Sequence, residues 1–165
     1  MRPHDLARLE VLQLSPDVGV EPGWFLRFEL SEHGGPNSLD LQAIARPTAC
    51  YDLVICNHVL EHVADDRQGF RELLRIIRPE GFLQITVPSP HSLECTVEWG
   101  YPRAASNYHY RGYGRDLVGR FLDASPGTRM IEVAACDPVT GALGYVYLAT
   151  RSERRHGQLL QCLAR

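Results

Sequence analysis

Tyr51-Asp-Leu-Val-Ile-Cys56 is the stretch that most constrains how this chain can fold. An almost unbroken apolar run of this length reads as a strand covered on both faces. A helix follows it. Asp65 is placed to cap its amino end with Gln68 three residues on, a capping-box-like arrangement. Phe70, Leu73, Leu74 and Ile77 recur at i, i+3, i+4 and i+7, and so form one buried stripe. Pro79 and Gly81 are its stop signals, and "FLQITVPSP" (82–90) is a second buried strand ended by prolines. Strand, helix, strand in this order is a βαβ unit, so this part of the sheet is expected to be parallel with a right-handed connection.

Around this unit, "LEVLQLS" (9–15) and "WFLRFEL" (24–30) read as strands, and "SLDLQAI" (38–44) as a third, weaker one. A helix is expected over 115–124. "MIEVAAC" and "LGYVYLAT" flank the turn formers of "DPVTGA", which predicts an antiparallel hairpin. The tail "SERRHGQLLQCLAR" reads as a surface helix. Between these elements, residues 90–114 are rich in aromatic and polar side chains, and loops of that length are usually functional or mobile. At 165 residues, with 44% hydrophobic and 22% charged residues, a single globular domain over 1–165 is expected.

Composition excludes several chemistries. All 17 basic residues are arginine, so a Schiff-base lysine is impossible. A net charge of −3 offers no basic footprint for nucleic acid. Five scattered cysteines without a C-x-x-C suit neither a disulfide framework nor a cysteine zinc site. With no signal peptide and no long apolar run, a cytoplasmic protein without a membrane partner is expected.

His58-Val-Leu-Glu-His62 matches H-x-x-E-H, an arrangement of two metal-binding histidines and a catalytic glutamate in some peptidases. That chemistry requires the histidines one helical turn apart and a third ligand, for which His91, Glu94, Glu98 and His109 are available. The apolar strand runs to Cys56 and the helix signal begins only at Asp65. The motif therefore falls at the carboxyl edge of a sheet, and no metal is assigned to it.

"YDLVICNHVLEHVADDRQGFRELLRIIRPEGFLQITVP" resembles the central segment of class I S-adenosylmethionine-dependent methyltransferases of the type 11 branch. The resemblance implies an α/β, three-layer, Rossmann-like sheet, mostly parallel, with a C-terminal antiparallel hairpin. It implies S-adenosylmethionine as cofactor, lying across the carboxyl ends of the strands, and a small-molecule methyl acceptor. Ser15 and Asp17 occupy the cofactor-loop position. Glu29 matches the acid that accepts hydrogen bonds from the ribose hydroxyls, and Asp40 and Leu41 match the adenine-contacting pair. Asn57 and His58 match the methionine end of the site. For substrate chemistry the strongest cluster is "NYHYRGYG": His109 as general base, Tyr110 and Tyr113 as aromatic walls, Arg111 as an anion clamp. The bland reading is that this cluster packs the segment onto the sheet.

One departure stands out. Where that family has a glycine-rich loop and a helix, this chain has "SPDVGVEPG", too short for a helical crossover. The amino-terminal half of the sheet is therefore expected to be reduced, with weakened cofactor binding. Its uncovered face calls for a partner, most simply a second copy in a homodimer. A non-catalytic binding or scaffolding protein is the alternative function.

Overall fold

A computed structural model describes residues 3–17, 19–136, 141 and 143–164. A short helix α1 (Pro3–Leu6) precedes β1 (Glu10–Leu14), β2 (Arg27–Ser31) and β3 (Tyr51–Asn57). Then come α2 (Asp66–Ile76), β4 (Ile77–Thr86), β5 (Val97–Arg103) and β6 (His109–Gly112). The chain closes with α3 (Leu117–Ala124), β7 (Arg129–Cys136), β8 (Leu143–Thr150) and α4 (Glu153–Leu163). Six strands form one sheet in the order β2-β1-β3-β4-β8-β7. β2, β1, β3 and β4 run parallel, whereas β8 is antiparallel to both β4 and β7. The expected hairpin is present; apart from Gly141, the 137–142 turn lies outside the described residues.

The cap of α2 is the predicted one: the Asp65 side chain accepts a hydrogen bond from the Gln68 N–H at 2.9 Å. Phe70, Leu73 and Leu74 are buried in the core that α2 and α3 build on one sheet face, where Phe70 and Phe121 stack at 4.5 Å. The expected end of α2 shifts. Ile77 is already extended and pairs with Tyr51 as the first residue of β4. Pro79 disfavours a helical Arg78, so the chain leaves the helix before Ile77. Gly81 then lies against β3, where a Cβ would come within 2.6 Å of the Asp52 carbonyl, so only glycine fits.

Two expectations are corrected. Residues 38–44 form turns instead of a third strand. Asp40 Oδ1 accepts the Gln42 N–H at 2.9 Å, an Asx-type turn that competes with extended pairing. Leu41 and Ile44 are nevertheless buried in the α2 core. The 90–114 segment is not a loop, because β5 and β6 pair as a separate antiparallel ribbon.

The opposite sheet face is covered by α4, whose Leu159 is buried against Leu53, Ile55, Phe82 and Leu148. Three layers are thus complete over the carboxyl-terminal half. Between β1 and β2, the described residues hold only a 3-10 turn at Pro22–Trp24, and no helix lies between β2 and β3. Stacked Phe25 and Phe28 partly fill the gap, leaving an apolar groove of about 410 Å³ edged by Trp24 and Leu163. No described helix is long and apolar enough to cross a membrane.

Candidate active site

β1 pairs with β2 on one side and β3 on the other, so the strand order reverses beside it. Open α/β sheets bind ligands outside the carboxyl ends of strands at such a switch point. A cavity of about 900 Å³ lies there, with Ser15, Glu32, Asp40, Leu41, His58 and His62 on its wall and Tyr110 at its side. A second cavity of about 720 Å³, between Thr86, Ser89, His91 and the β7–β8 strands, shares His58 with the first.

Backbone strain concentrates here. Among the described residues, six non-glycine positions have positive φ: Ser15, Ala49, His58, Ser89, Asn107 and Tyr108. All but Ala49 line one or both cavities. Such conformations cost about 1–3 kcal/mol each and persist where their surroundings over-determine them. Ser15, at φ 69°, is held from both sides: its N–H donates to the Ser31 carbonyl, and its carbonyl accepts from Gln13 Nε2. Ser15 thus makes the left-handed turn out of β1 that a glycine would make without strain.

The remaining predicted cofactor residues divide between wall and support. Ser15, Asp40, Leu41 and His58 line the larger cavity. Asp17 instead accepts from Asn57 Nδ2 at 2.8 Å and from the Gly19 N–H at 2.8 Å, and faces the apolar groove on the other side of the sheet. That bond ties the loop after β1 to the end of β3. Glu29 is engaged below the wall. It accepts from Arg46 Nη2 at 2.5 Å, Tyr51 Oη at 2.7 Å and Asn37 Nδ2 at 3.2 Å. Burial pushes its carboxyl pKa up, but the bonds from Tyr51, Arg46 and Asn37 outweigh this and lower it. β2 ends at Ser31, later than the sequence suggests, and the acid that reaches the wall is Glu32. A correct strand end would have pointed to Glu32, whereas His62 is marked in the sequence only by the H-x-x-E-H spacing.

His109 sits on β6 with its ring edge-on to His62, centroids 4.6 Å apart. Chiefly by burial, its pKa is lowered, which favours the neutral imidazole. Beside both lies Glu61, whose side chain is 1% exposed. Among the described residues, neither of its carboxyl oxygens has a hydrogen-bond partner. His58 Nδ1 stands 3.6 Å from Glu61 Oε1, an ion contact that raises the His58 pKa against the opposing effect of burial. An unsatisfied buried polar group costs about 1–3 kcal/mol, more when charged. The peptidase geometry is absent: Leu60–His62 is one 3-10 turn, and His58 is left-handed, so the two histidines of the motif share no α-helical face.

Arg111, read from sequence as an anion clamp, is 2% exposed and fully used inside the protein. Nη1 donates to the carbonyls of Leu60 and Val63, Nη2 to that of Ala64, and Nε to Glu98. Tyr113, read as a cavity wall, is buried and donates to Asp66 at 2.8 Å. Asp66 also accepts two bonds from Arg120, which in turn pairs with Glu98. Burial pushes the Asp66 pKa up, but Arg120, Arg111 and Tyr113 together hold it below the usual carboxylate value. This network fastens the β5–β6 ribbon to the 60–66 segment.

Residues 31–85 match the family model described as a methyltransferase domain. No curated protein matches the chain. Among solved structures, it is similar to the Burkholderia thailandensis 1,6-didemethyltoxoflavin-N1-methyltransferase bound to 1,6-didemethyltoxoflavin and S-adenosylhomocysteine. Identity is 14%, the TM-score 0.62, and 91% of this chain and 74% of that one are covered. A Mesorhizobium loti S-adenosylmethionine-dependent methyltransferase aligns at 12% identity and TM-score 0.63, over 87% of this chain and 91% of that one. The [4+2]-cyclase SpnF aligns at 13% identity and TM-score 0.55, over 87% and 75%. At these identities the likeness establishes the fold.

Proposed function

We infer that this chain, which has the fold of class I S-adenosylmethionine-dependent methyltransferases and carries their central segment, binds S-adenosylmethionine and methylates a small molecule. One observation carries the reading. Ser31, Asp40, Leu41, His58 and His62, from the segment matched to the methyltransferase domain, converge on the cavity at the switch point. The donor set fits. The carboxylates of Glu32 and Asp40 suit the two hydroxyls of a ribose, since each offers two acceptor oxygens. Leu39, Leu41, Val59 and Val63 supply an apolar flank for a purine. Ser15 and His58 complete the wall, while Asp17, Asn57 and Glu29 hold it in place from behind. When bound, the cofactor supplies an electrophilic methyl on a sulfonium. The protein's task is then chiefly to align an acceptor and exclude water. His109, beside the cavity and with its pKa lowered chiefly by burial, is the group that can take a proton from an acceptor hydroxyl or amine while its ring nitrogens hold no metal.

Calorimetric titration with S-adenosylmethionine tests this. Binding in the micromolar range is expected. Glu32→Ala should weaken it about tenfold, the loss of roughly 1.4 kcal/mol. Glu29→Ala should chiefly lower thermal stability, because it leaves Arg46 and Tyr51 without their shared acceptor. No heat of binding by the folded protein would end the cofactor reading. It would also favour the alternative, a binding or scaffolding protein of this fold, to which the loop after β1, whose described residues hold only a 3-10 turn, lends weight.

The groove beside β1 supports a homodimer as part of the same reading. Trp24 and Leu163 on its edge are exposed, as are Leu26 and Leu160, the sequence neighbours of groove-lining Phe25 and Leu159. Sedimentation velocity at micromolar concentration should show a dimer that Trp24→Glu dissociates; a monomer at every concentration would remove the dimer.

A further inference from the structure

We propose that Glu61, His62 and His109 form a binding site for one divalent first-row transition-metal ion, zinc foremost, with His58 at its edge. The ligand atoms of the three residues lie within 4.8 Å of one another. Around zinc bonded at about 2.0–2.1 Å, tetrahedral ligand atoms stand roughly 3.4 Å apart, so closure needs an inward shift of about 1 Å. His62, exposed on a one-turn 3-10 segment, has the freedom to make it. Two imidazoles and one carboxylate suit zinc or another metal of that series, whereas magnesium and calcium favour oxygen ligands.

The independent observation is Glu61. It is 1% exposed, and both carboxyl oxygens are buried without a hydrogen-bond donor, although imidazoles lie on two sides. A buried carboxylate is normally paired, hydrogen-bonded or bound to a metal. Its one ion contact, His58 Nδ1 at 3.6 Å from Oε1, lies beyond hydrogen-bond distance and leaves Oε2 without a donor.

The ligands come from segments far apart in sequence, and one side chain sets their distance. Arg111, two residues after His109, donates to the carbonyls of Leu60, Val63 and Ala64, on either side of Glu61 and His62. Asp66 and Glu98 balance its charge, at 3.6 Å and 3.1 Å. The site is thus pre-assembled by packing. His62 and His58 both line the larger cavity, so a coordination position left open beside them would meet whatever binds there. The proposal rests on this geometry alone and stands whether or not the chain transfers methyl groups.

Protein stripped with EDTA and titrated with zinc chloride against a chromophoric chelator provides the test. One equivalent should bind with a Kd below micromolar. His62→Ala and His109→Ala should each weaken binding at least about tenfold, and His156→Ala on α4 should leave it unchanged. Cobalt(II) should give visible d–d bands without thiolate-to-cobalt charge transfer, which separates this site from exposed Cys95 and Cys162. Because His62 is exposed, His62→Ala is expected to fold, and circular dichroism verifies it. Zinc binding equal in wild type and in folded His62→Ala, or a thiolate charge-transfer band, would overturn the proposal.

Discussion

Arg111→Ala is expected to lower the midpoint of thermal unfolding by about 10 °C. Removing one partner of a buried charged network typically costs about 3–5 kcal/mol. For a chain of this size each kcal/mol moves the midpoint by roughly 2–4 °C. Arg111 warrants the upper part of that range because of what it leaves behind. The carbonyls of Leu60, Val63 and Ala64 lose their guanidinium donor together, and Glu98 keeps only Arg120. Arg111→Lys should recover only a fraction, since an ammonium cannot present the planar fork that reaches three carbonyls and a carboxylate at once. Arg154→Ala is the control. It breaks a contact to Glu80 between exposed side chains and should leave the midpoint where it was. Differential scanning calorimetry of the three variants decides the matter. A shift no larger for Arg111→Ala than for Arg154→Ala would mean that the carbonyls find other donors.

Local signals were the ones the sequence displayed well. Asp65 caps α2 through a neighbour three residues away, and the apolar stripe of that helix repeats within two turns, so both are visible in a short window. The same holds for the β7–β8 hairpin, whose partners lie close along the chain. Residues 38–44 misled because alternating apolar positions fit either a strand or a turn that buries Leu41 and Ile44. Asp40 decided in favour of the turn.

At the site, what mattered was tertiary. Arg111 and Tyr113 have the composition of a ligand-binding motif, yet their partners are carbonyls and a carboxylate 47 to 51 positions away. An arginine's sequence neighbours do not reveal whether its guanidinium meets a ligand or the backbone. Glu29 and Glu32 differ by three residues, and the end of β2 alone decides which one reaches the cavity wall. The H-x-x-E-H spacing pointed to metal through the wrong pair. The left-handed backbone at His58 breaks any helix there, and Glu61 and His62 find their companion in His109 on another element.

Glu61→Leu is expected to raise the stability of the metal-free protein and to reverse that advantage once zinc is present. In EDTA the wild-type carboxyl is buried with neither oxygen hydrogen-bonded and only the 3.6 Å His58 contact beside it, a condition worth about 1–3 kcal/mol of destabilisation. An apolar side chain of similar size removes that cost, and replacing buried ionic groups by packed hydrophobic ones is often stabilising. The variant's midpoint should therefore lie several degrees above the wild type, at roughly 2–4 °C per kcal/mol. A ligand that binds only the folded state adds about 2.7 kcal/mol when present at a hundred times its Kd. That gain should accrue to the wild type and be largely absent in Glu61→Leu, which keeps the imidazoles but lacks the oxygen ligand. The two melting curves should thus exchange order between EDTA and zinc. A Glu61→Leu protein that melts below the wild type in EDTA would show that the buried carboxyl already has a stabilising partner. The vacancy in its bonding, on which both the strain of the metal-free protein and its affinity for metal depend, would then not exist.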